Sequence, residues 1–313
     1  MSKGSRVYAP RFRWHFIGPR FWPTWIGMLL LWLLSLAPWR LRAVLARWLG
    51  NYAAARPGYR QGIARTNLAM AFPERSETER DELRRGLYRT LVQTLLDYGI
   101  LWWGSRRRLR RLIRSEGMEH LARARAEGRR VILLTGHNVA LDFGAAAFTM
   151  EHPGVGLIKR ARNELVDWMM GRGRLRFDSV LFERDAGLRP VIGAMREGRV
   201  FYYLPDEDLS HVRGSDWVFA PFFGVQTVTI TALSRLAGIT DAVVLPAMTY
   251  YTGDGHYLFR VLPPLEGFPS GDRQADAERQ SRILEEMIAR APEQYMWTLT
   301  IFSRRPEGEP KPY

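Results

Sequence analysis

Residues 131–142 read VILLTGHNVALD. The apolar run 131–135 has the length and branching of a buried strand. Gly136 ends it, His137 follows at once, and helical periodicity begins near residue 140. Four more apolar runs repeat the pattern, at 155–158, 200–204, 242–246 and 257–262. Amphipathic stretches between and after them predict helices near 140–150, 164–171, 187–196, 229–236 and 275–290. Strand alternating with helix predicts an α/β domain over 115–313, a mainly parallel sheet flanked by helices.

In open α/β sheets, chemistry gathers at the carboxyl ends of the strands. His137 stands at such an end, and Asp142 follows five positions later in the first helical turn. A carboxylate on one ring nitrogen fixes the tautomer and frees the other nitrogen to accept a proton. His137 and Asp142 are therefore the candidate catalytic pair; the plainer alternative is a histidine that caps a helix. The chain has no cysteine and no G-x-S-x-G elbow, so the attacking hydroxyl is expected to come from a substrate. No Walker A sequence and no H-E-x-x-H zinc motif occurs, so neither a cofactor nor a metal is expected.

Two further clusters follow strands. Tyr202-Tyr203-Leu204-Pro205-Asp206-Glu207-Asp208 ends in an acidic pair, Asp206 and Asp208. Such a pair either holds a metal-bound sugar nucleotide, as in many glycosyltransferases, or organises nearby arginines. Lys159, Arg160, Arg162, Arg172, Arg174 and Arg176 form a basic group. Lys159, Arg160 and Arg174 are the candidates for binding a phosphorylated substrate, with Asp206 and Asp208 counted in the same substrate site, against the alternative of ordinary surface charge. Asp206 is expected to sit among these arginines and to bind no metal.

The formal charge is +14 over 313 residues. Such a surface seeks polyanions. Eleven tryptophans and an uncharged run favour a membrane with anionic lipid over nucleic acid. That run, FWPTWIGMLLLWLLSLAPW at 21–39, is flanked by arginines and by tryptophans suited to the headgroup boundary. Residues 1–50 therefore read as a hydrophobic membrane-anchoring helix with basic flanks, and a short anchor, a re-entrant helix and a helix lying in the interface all fit; a buried core helix and a signal peptide are the alternatives. A mean hydropathy of -0.23 excludes a multi-pass membrane protein.

Residues 51–114 read as a helical, basic, membrane-proximal region. Ser76 and Glu79 form a capping box. Leu83, Leu87, Leu91 and Leu95 recur at helical spacing, and Gly99 and Gly104 weaken the end of that helix. Six arginines lie between Arg106 and Arg114 beside Trp102 and Trp103.

The His137-x4-Asp142 motif after a strand resembles the first block of the glycerolipid acyltransferase superfamily. Within it the chain resembles the bacterial late (secondary) acyltransferases of lipid A biosynthesis. The likeness runs from Pro19-Arg20-Phe21-Trp22-Pro23, through Asp167-Trp168, Gly173-Arg174-Leu175-Arg176 and Pro205-Asp206-Glu207-Asp208, to Tyr295-Met296-Trp297 and Arg305-Pro306-Glu307-Gly308. The resemblance implies an acyl chain passed from acyl carrier protein to a hydroxyl on a lipid A precursor, with His137 as base and Asp142 as its partner. It also implies the cytoplasmic face of the bacterial inner membrane. Relatives often carry Glu in place of Asp142. After Tyr-Met-Trp they often show a basic pair, where this chain has Thr298-Leu299-Thr300-Ile301. The competing readings are an acyltransferase for a lysophospholipid or aminolipid, a metal-dependent membrane glycosyltransferase, and a non-catalytic basic binding protein.

Overall fold

A computed structural model describes residues 7–212 and 214–313. Five helices come first: α1 (Trp22–Leu36), α2 (Trp39–Ala55), α3 (Tyr59–Ala71), α4 (Glu77–Trp103) and α5 (Arg106–Leu112). Pro38 separates α1 from α2 because its ring cannot extend the preceding helix. The Ser76 hydroxyl accepts from the Glu79 N–H while the Glu79 carboxylate accepts from the Ser76 N–H, so the expected capping box starts α4. α4 then runs the length of the helical layer, against α1, α2 and α3.

The rest is β1 (Ile113–Glu116), α6 (Met118–Ala126), β2 (Arg130–Leu134), α7 (Leu141–Thr149), β3 (Gly154–Ile158), α8 (Glu164–Arg174), β4 (Ser179–Glu183), α9 (Arg189–Arg196), β5 (Val200–Tyr203), β6 (Trp217–Phe222), β7 (Val225–Ile230), α10 (Ala232–Thr240), β8 (Ala242–Tyr251), β9 (Tyr257–Val261) and α11 (Arg273–Ala289). Seven strands form one sheet in the order β1-β9-β8-β2-β5-β3-β4. Every pairing is parallel except β8 with β9. Central strands are covered on both faces, which is why β2 buries Val131, Ile132, Leu133 and Leu134 in succession. Ile132 and Leu134 enter one core cluster, Val131 and Leu133 the other.

The α/β class and the five expected strands are present, with corrections elsewhere. The helix expected from 229 begins only at Ala232, because Thr229 and Ile230 close β7, paired with β6 in a hairpin. Its turn residues, Phe223 and Gly224, both take positive φ, as a two-residue hairpin turn requires. Leu95 does not share the buried face of Leu87: a four-residue repeat overshoots the helical turn by about 40° each step, so the stripe drifts outward. Gly99 does not weaken α4. A side chain there would lie 2.2 Å from the Leu31 carbonyl oxygen, so glycine lets α1 and α4 touch. Gly104 caps the helix, after Trp103.

α1 has 15 residues, and among the described residues no helix is long and apolar enough to cross a membrane. It buries Met28 and Ser35 but exposes Trp22, Ile26, Leu29, Leu30, Leu33 and Leu36. α2 exposes Leu41, Val44 and Trp48 beside them in sequence. The arginine run is partly structural: Arg106 donates to the Met150 carbonyl and Arg108 to that of Ser35. A buried ion pair, Arg42 Nε to Asp97 Oδ1 at 2.6 Å, ties α2 to α4. Gln93 and Tyr257 donate to the other Asp97 oxygen, both at 2.8 Å.

Candidate active site

β2 and β5 are neighbours, with Leu134 opposite Tyr203. Three residues beyond each lie His137 and Asp206, so the register alone brings them side by side. Asp206 Oδ1 lies 2.7 Å from His137 Nδ1, and its Oδ2 accepts the His137 backbone N–H at 2.6 Å. The Tyr295 hydroxyl donates to the same Oδ2 at 2.8 Å. The loop carrying His137 is itself pinned: Met296 N–H donates to the His137 carbonyl, and Val139 N–H to that of Gln294. Gly136 fits because a Cβ there would stand 3.3 Å from Asp206 Oδ2 and 3.4 Å from the Tyr295 ring.

With Asp206 ionised, the Nδ1 proton donates to it and Nε2 carries the lone pair. Burial favours a neutral His137, but the Asp206 charge and hydrogen bond, with Glu207 adding to them, outweigh it and raise the pKa. Burial likewise opposes ionisation of Asp206. The His137 charge, its two hydrogen bonds and the Tyr295 hydroxyl outweigh that and hold Asp206 below the ordinary carboxylate range.

His137 lines a cavity of about 360 Å³ bounded by the sheet, α7 and α8. Much of its lining is apolar, including Ala145, Phe148, Val155, Leu157 and Phe201. Glu207 also lines it, with one oxygen 3.7 Å from Nε2 and the other accepting from Arg184. Lys159 and Arg174 line the same cavity.

The arrangement departs from expectation at Asp142. Its Oδ1 accepts from Arg174 Nε at 2.9 Å, and its Oδ2 from Arg174 Nη2 at 3.0 Å and from the Tyr98 hydroxyl at 2.6 Å. The position expected to hold His137 thus holds an arginine, because the start of α7 faces α4 and α8. The Arg174 guanidinium keeps its charge: burial disfavours it, but Asp142 more than compensates, and its pKa is raised. Asp206 also differs: among the described residues its partners are His137 and Tyr295, and no arginine. Asp208 lies in the same acidic run but turns away, accepting from Ser210 N–H at 2.9 Å and from the Ser303 hydroxyl at 2.7 Å. Arg160 is not at the cavity. It pairs with Glu183 and lies 5.3 Å over the Tyr8 ring. Tyr98, Arg184 and the roles of Glu207 and Tyr295 emerge only from the structure. Glu207 and Tyr295 stood in recognised runs, whereas Tyr98 lies 44 residues from Asp142 with no local signal.

A strand-end histidine, the carboxylate on its ring and a largely apolar cavity form the candidate site. Comparison with known proteins is specific. The model of the bacterial lipid A biosynthesis acyltransferases matches residues 9–304. The chain belongs to that family. It is 34% identical to a lipid A biosynthesis palmitoleoyltransferase of Escherichia coli (strain K12), over 97% of this chain and 98% of the other. It is 35% identical to a lipid A biosynthesis lauroyltransferase of the same organism, over 97% and 99%. A solved 1-acyl-sn-glycerophosphate acyltransferase, PlsC, from Thermotoga maritima aligns with 86% of this chain and 97% of its own, at 16% identity and a TM-score of 0.38, a likeness too low to build on.

Proposed function

We propose that the protein transfers a fatty acyl chain from the thioester of acyl carrier protein to a hydroxyl on an acyl chain of a lipid A precursor. One observation carries the reading: His137 lines a largely apolar cavity while its Nδ1 is locked on Asp206, which leaves Nε2 for a substrate. The acceptor hydroxyl gives its proton to Nε2 as its oxygen attacks the thioester carbonyl carbon. The tetrahedral intermediate collapses, the carbon–sulfur bond breaks, and the thiolate takes the proton from the imidazolium. Asp206 stabilises that imidazolium, and Tyr295 holds Asp206. No enzyme nucleophile takes part, so no covalent intermediate forms. The cavity holds the donor's hydrocarbon, and Lys159 and Arg174 meet a phosphate of the acceptor. Asp142 keeps the Arg174 fork in place.

The site works at the cytoplasmic face of the inner membrane. The exposed apolar side chains of α1 and α2, with Arg40 and Arg47 alongside, enter the headgroup and upper acyl region of an anionic leaflet. A single patch of this kind lets the protein lie in the interface without a spanning helix. The domain reading follows: 1–50 as membrane contact, 51–114 as the helical layer, 115–313 as the catalytic unit. Incubation of purified protein with acyl-carrier thioester and a lipid A precursor tests the reaction. Mass spectrometry should show the acceptor heavier by one acyl group. Transfer to a lysophospholipid instead, with the lipid A precursor untouched, overturns the acceptor.

A further inference from the structure

A second cavity, of about 520 Å³, lies against the other side of α8 from the catalytic pocket. α8 contributes Met170 and Arg174 to the catalytic cavity and Met169 and Arg172 to this one, and Ser179 lines both. Its remaining walls include the strap at 7–10, Trp102 and Trp103 from the end of α4, Leu175 and Val180. These walls are built, not loosely apposed. Tyr8 N–H donates to the Leu181 carbonyl at 2.8 Å, and the Tyr8 hydroxyl donates to Asp167 Oδ2 at 2.9 Å. A side chain at Gly171 would lie 2.5 Å from the Tyr8 ring, and one at Gly173 would lie 2.3 Å from the Trp102 indole. Two glycines on one helix thus seat the strap and α4 against it.

We propose that this cavity binds an acyl chain of an anionic lipid, with the lipid's phosphate at Arg172. The lining is largely aromatic and aliphatic, which suits hydrocarbon. Arg172 is exposed at the rim, 5.0 Å over the Trp168 ring, a position from which a guanidinium meets phosphate. Arg176 holds the rim by donating to the Leu101 and Gly104 carbonyls. Location supplies the choice of a lipid. Trp102 and Trp168 pack on the cluster of Phe16, Phe21 and Met28, and that segment also carries the exposed Trp14, Ile17 and Trp22. A chain leaving the bilayer beside these side chains reaches the cavity directly. Two sources share this chemistry, a phospholipid of the leaflet and a neighbouring chain of a phosphorylated lipid substrate.

Photolabelling tests this without measuring catalysis. The probe is phosphatidylglycerol with a diazirine in its acyl chain, in phosphatidylcholine vesicles, with full-length protein and peptide mapping by mass spectrometry. Label is expected on Leu175 and Val180, severalfold weaker in Leu175→Trp, which fills the cavity, and weaker in Arg172→Gln. A matching diacylglycerol probe, which has no phosphate, should be indifferent to Arg172→Gln. If Leu175→Trp fails to fold, Ala9→Trp fills the cavity from the strap. Displacement of label by a phosphorylated lipid A precursor assigns the cavity to the substrate's own chain, and persistence assigns it to a bilayer phospholipid. Label confined to α1 and α2, or undiminished at Leu175-flanking residues in the filled variants, overturns the proposal.

Discussion

Asp206 binds His137 twice, through Nδ1 at 2.7 Å and through the backbone N–H at 2.6 Å, so one carboxylate fixes both the ring and the loop that carries it. The residue five positions after the histidine serves Arg174 instead. The two carboxylates should therefore fail differently when neutralised.

Asp206→Asn should lower kcat by about 10²–10⁴-fold, since it removes the imidazolium's charge partner and disturbs the tautomer. Acceptor KM should change little. Steady-state kinetics on both substrates reads this, and a variant with near wild-type kcat excludes Asp206 as the partner.

Asp142→Asn should act mainly through Arg174, raising acceptor KM more than it lowers kcat. It should also lower the thermal midpoint, because Arg174 then lacks its buried counter-charge. A kcat loss larger than that of Asp206→Asn, with KM unchanged, restores Asp142 to direct partnership with His137.

The pH profile has a defined sign. His137 must be neutral to act as base, and its pKa is raised above the ordinary 6.5 by Asp206 against the effect of burial. kcat/KM should rise with pH through a midpoint above 6.5, and Asp206→Asn should move that midpoint down. The folding contribution runs the other way. A raised histidine pKa stabilises fully below 6.5 and loses its effect as pH rises through the folded value. An acid limb that stays in place in the variant separates it from His137.

The strands legible in the sequence are those the sheet buries on both faces, where an apolar run is unavoidable. β1 was not legible: it is an edge strand with three of four residues exposed, following an arginine run. β4, the other edge, offers only the three apolar residues 180–182 between Ser179 and Glu183, and Pro221 hid β6. His137 was legible because it ends its own strand. Its partner was not, because 69 residues separate it from Asp206 and only the pairing of Leu134 with Tyr203 joins them. Local spacing favoured Asp142, but α7 directs that side chain towards α8.

Membrane contact is better tested by substitution than by deleting the N-terminal segment. α1 touches Gly99 through its backbone, and Ser35 accepts from Arg108, so deletion opens the core. Changing exposed Trp22, Ile26, Leu29 and Leu33 together to Gln should release the protein from vesicles and sharply reduce activity on bilayer substrate. Activity on a water-dispersed acceptor should persist. Full vesicle retention in a pelleting assay means the basic surface suffices.

Asp97→Ala should cost about 3–5 kcal/mol of stability, since it leaves Arg42 buried without its partner. Chemical denaturation measures it, and kinetics at permissive temperature should be near wild type. A loss under about 1 kcal/mol would mean that water or another carboxylate compensates Arg42.

On the proposed mechanism, His137 takes the proton from a lipid A precursor's hydroxyl as the acyl group leaves its carrier thioester. Single-turnover mass spectrometry with acyl-carrier thioester, the precursor and metal-free buffer tests it most directly, comparing wild type with His137→Ala. The wild type should yield a precursor heavier by one acyl group, without divalent ions, and His137→Ala should be slower by about 10²–10⁴-fold while still binding both substrates. Undiminished transfer by His137→Ala, or a wild-type reaction that requires Mn²⁺, contradicts the account.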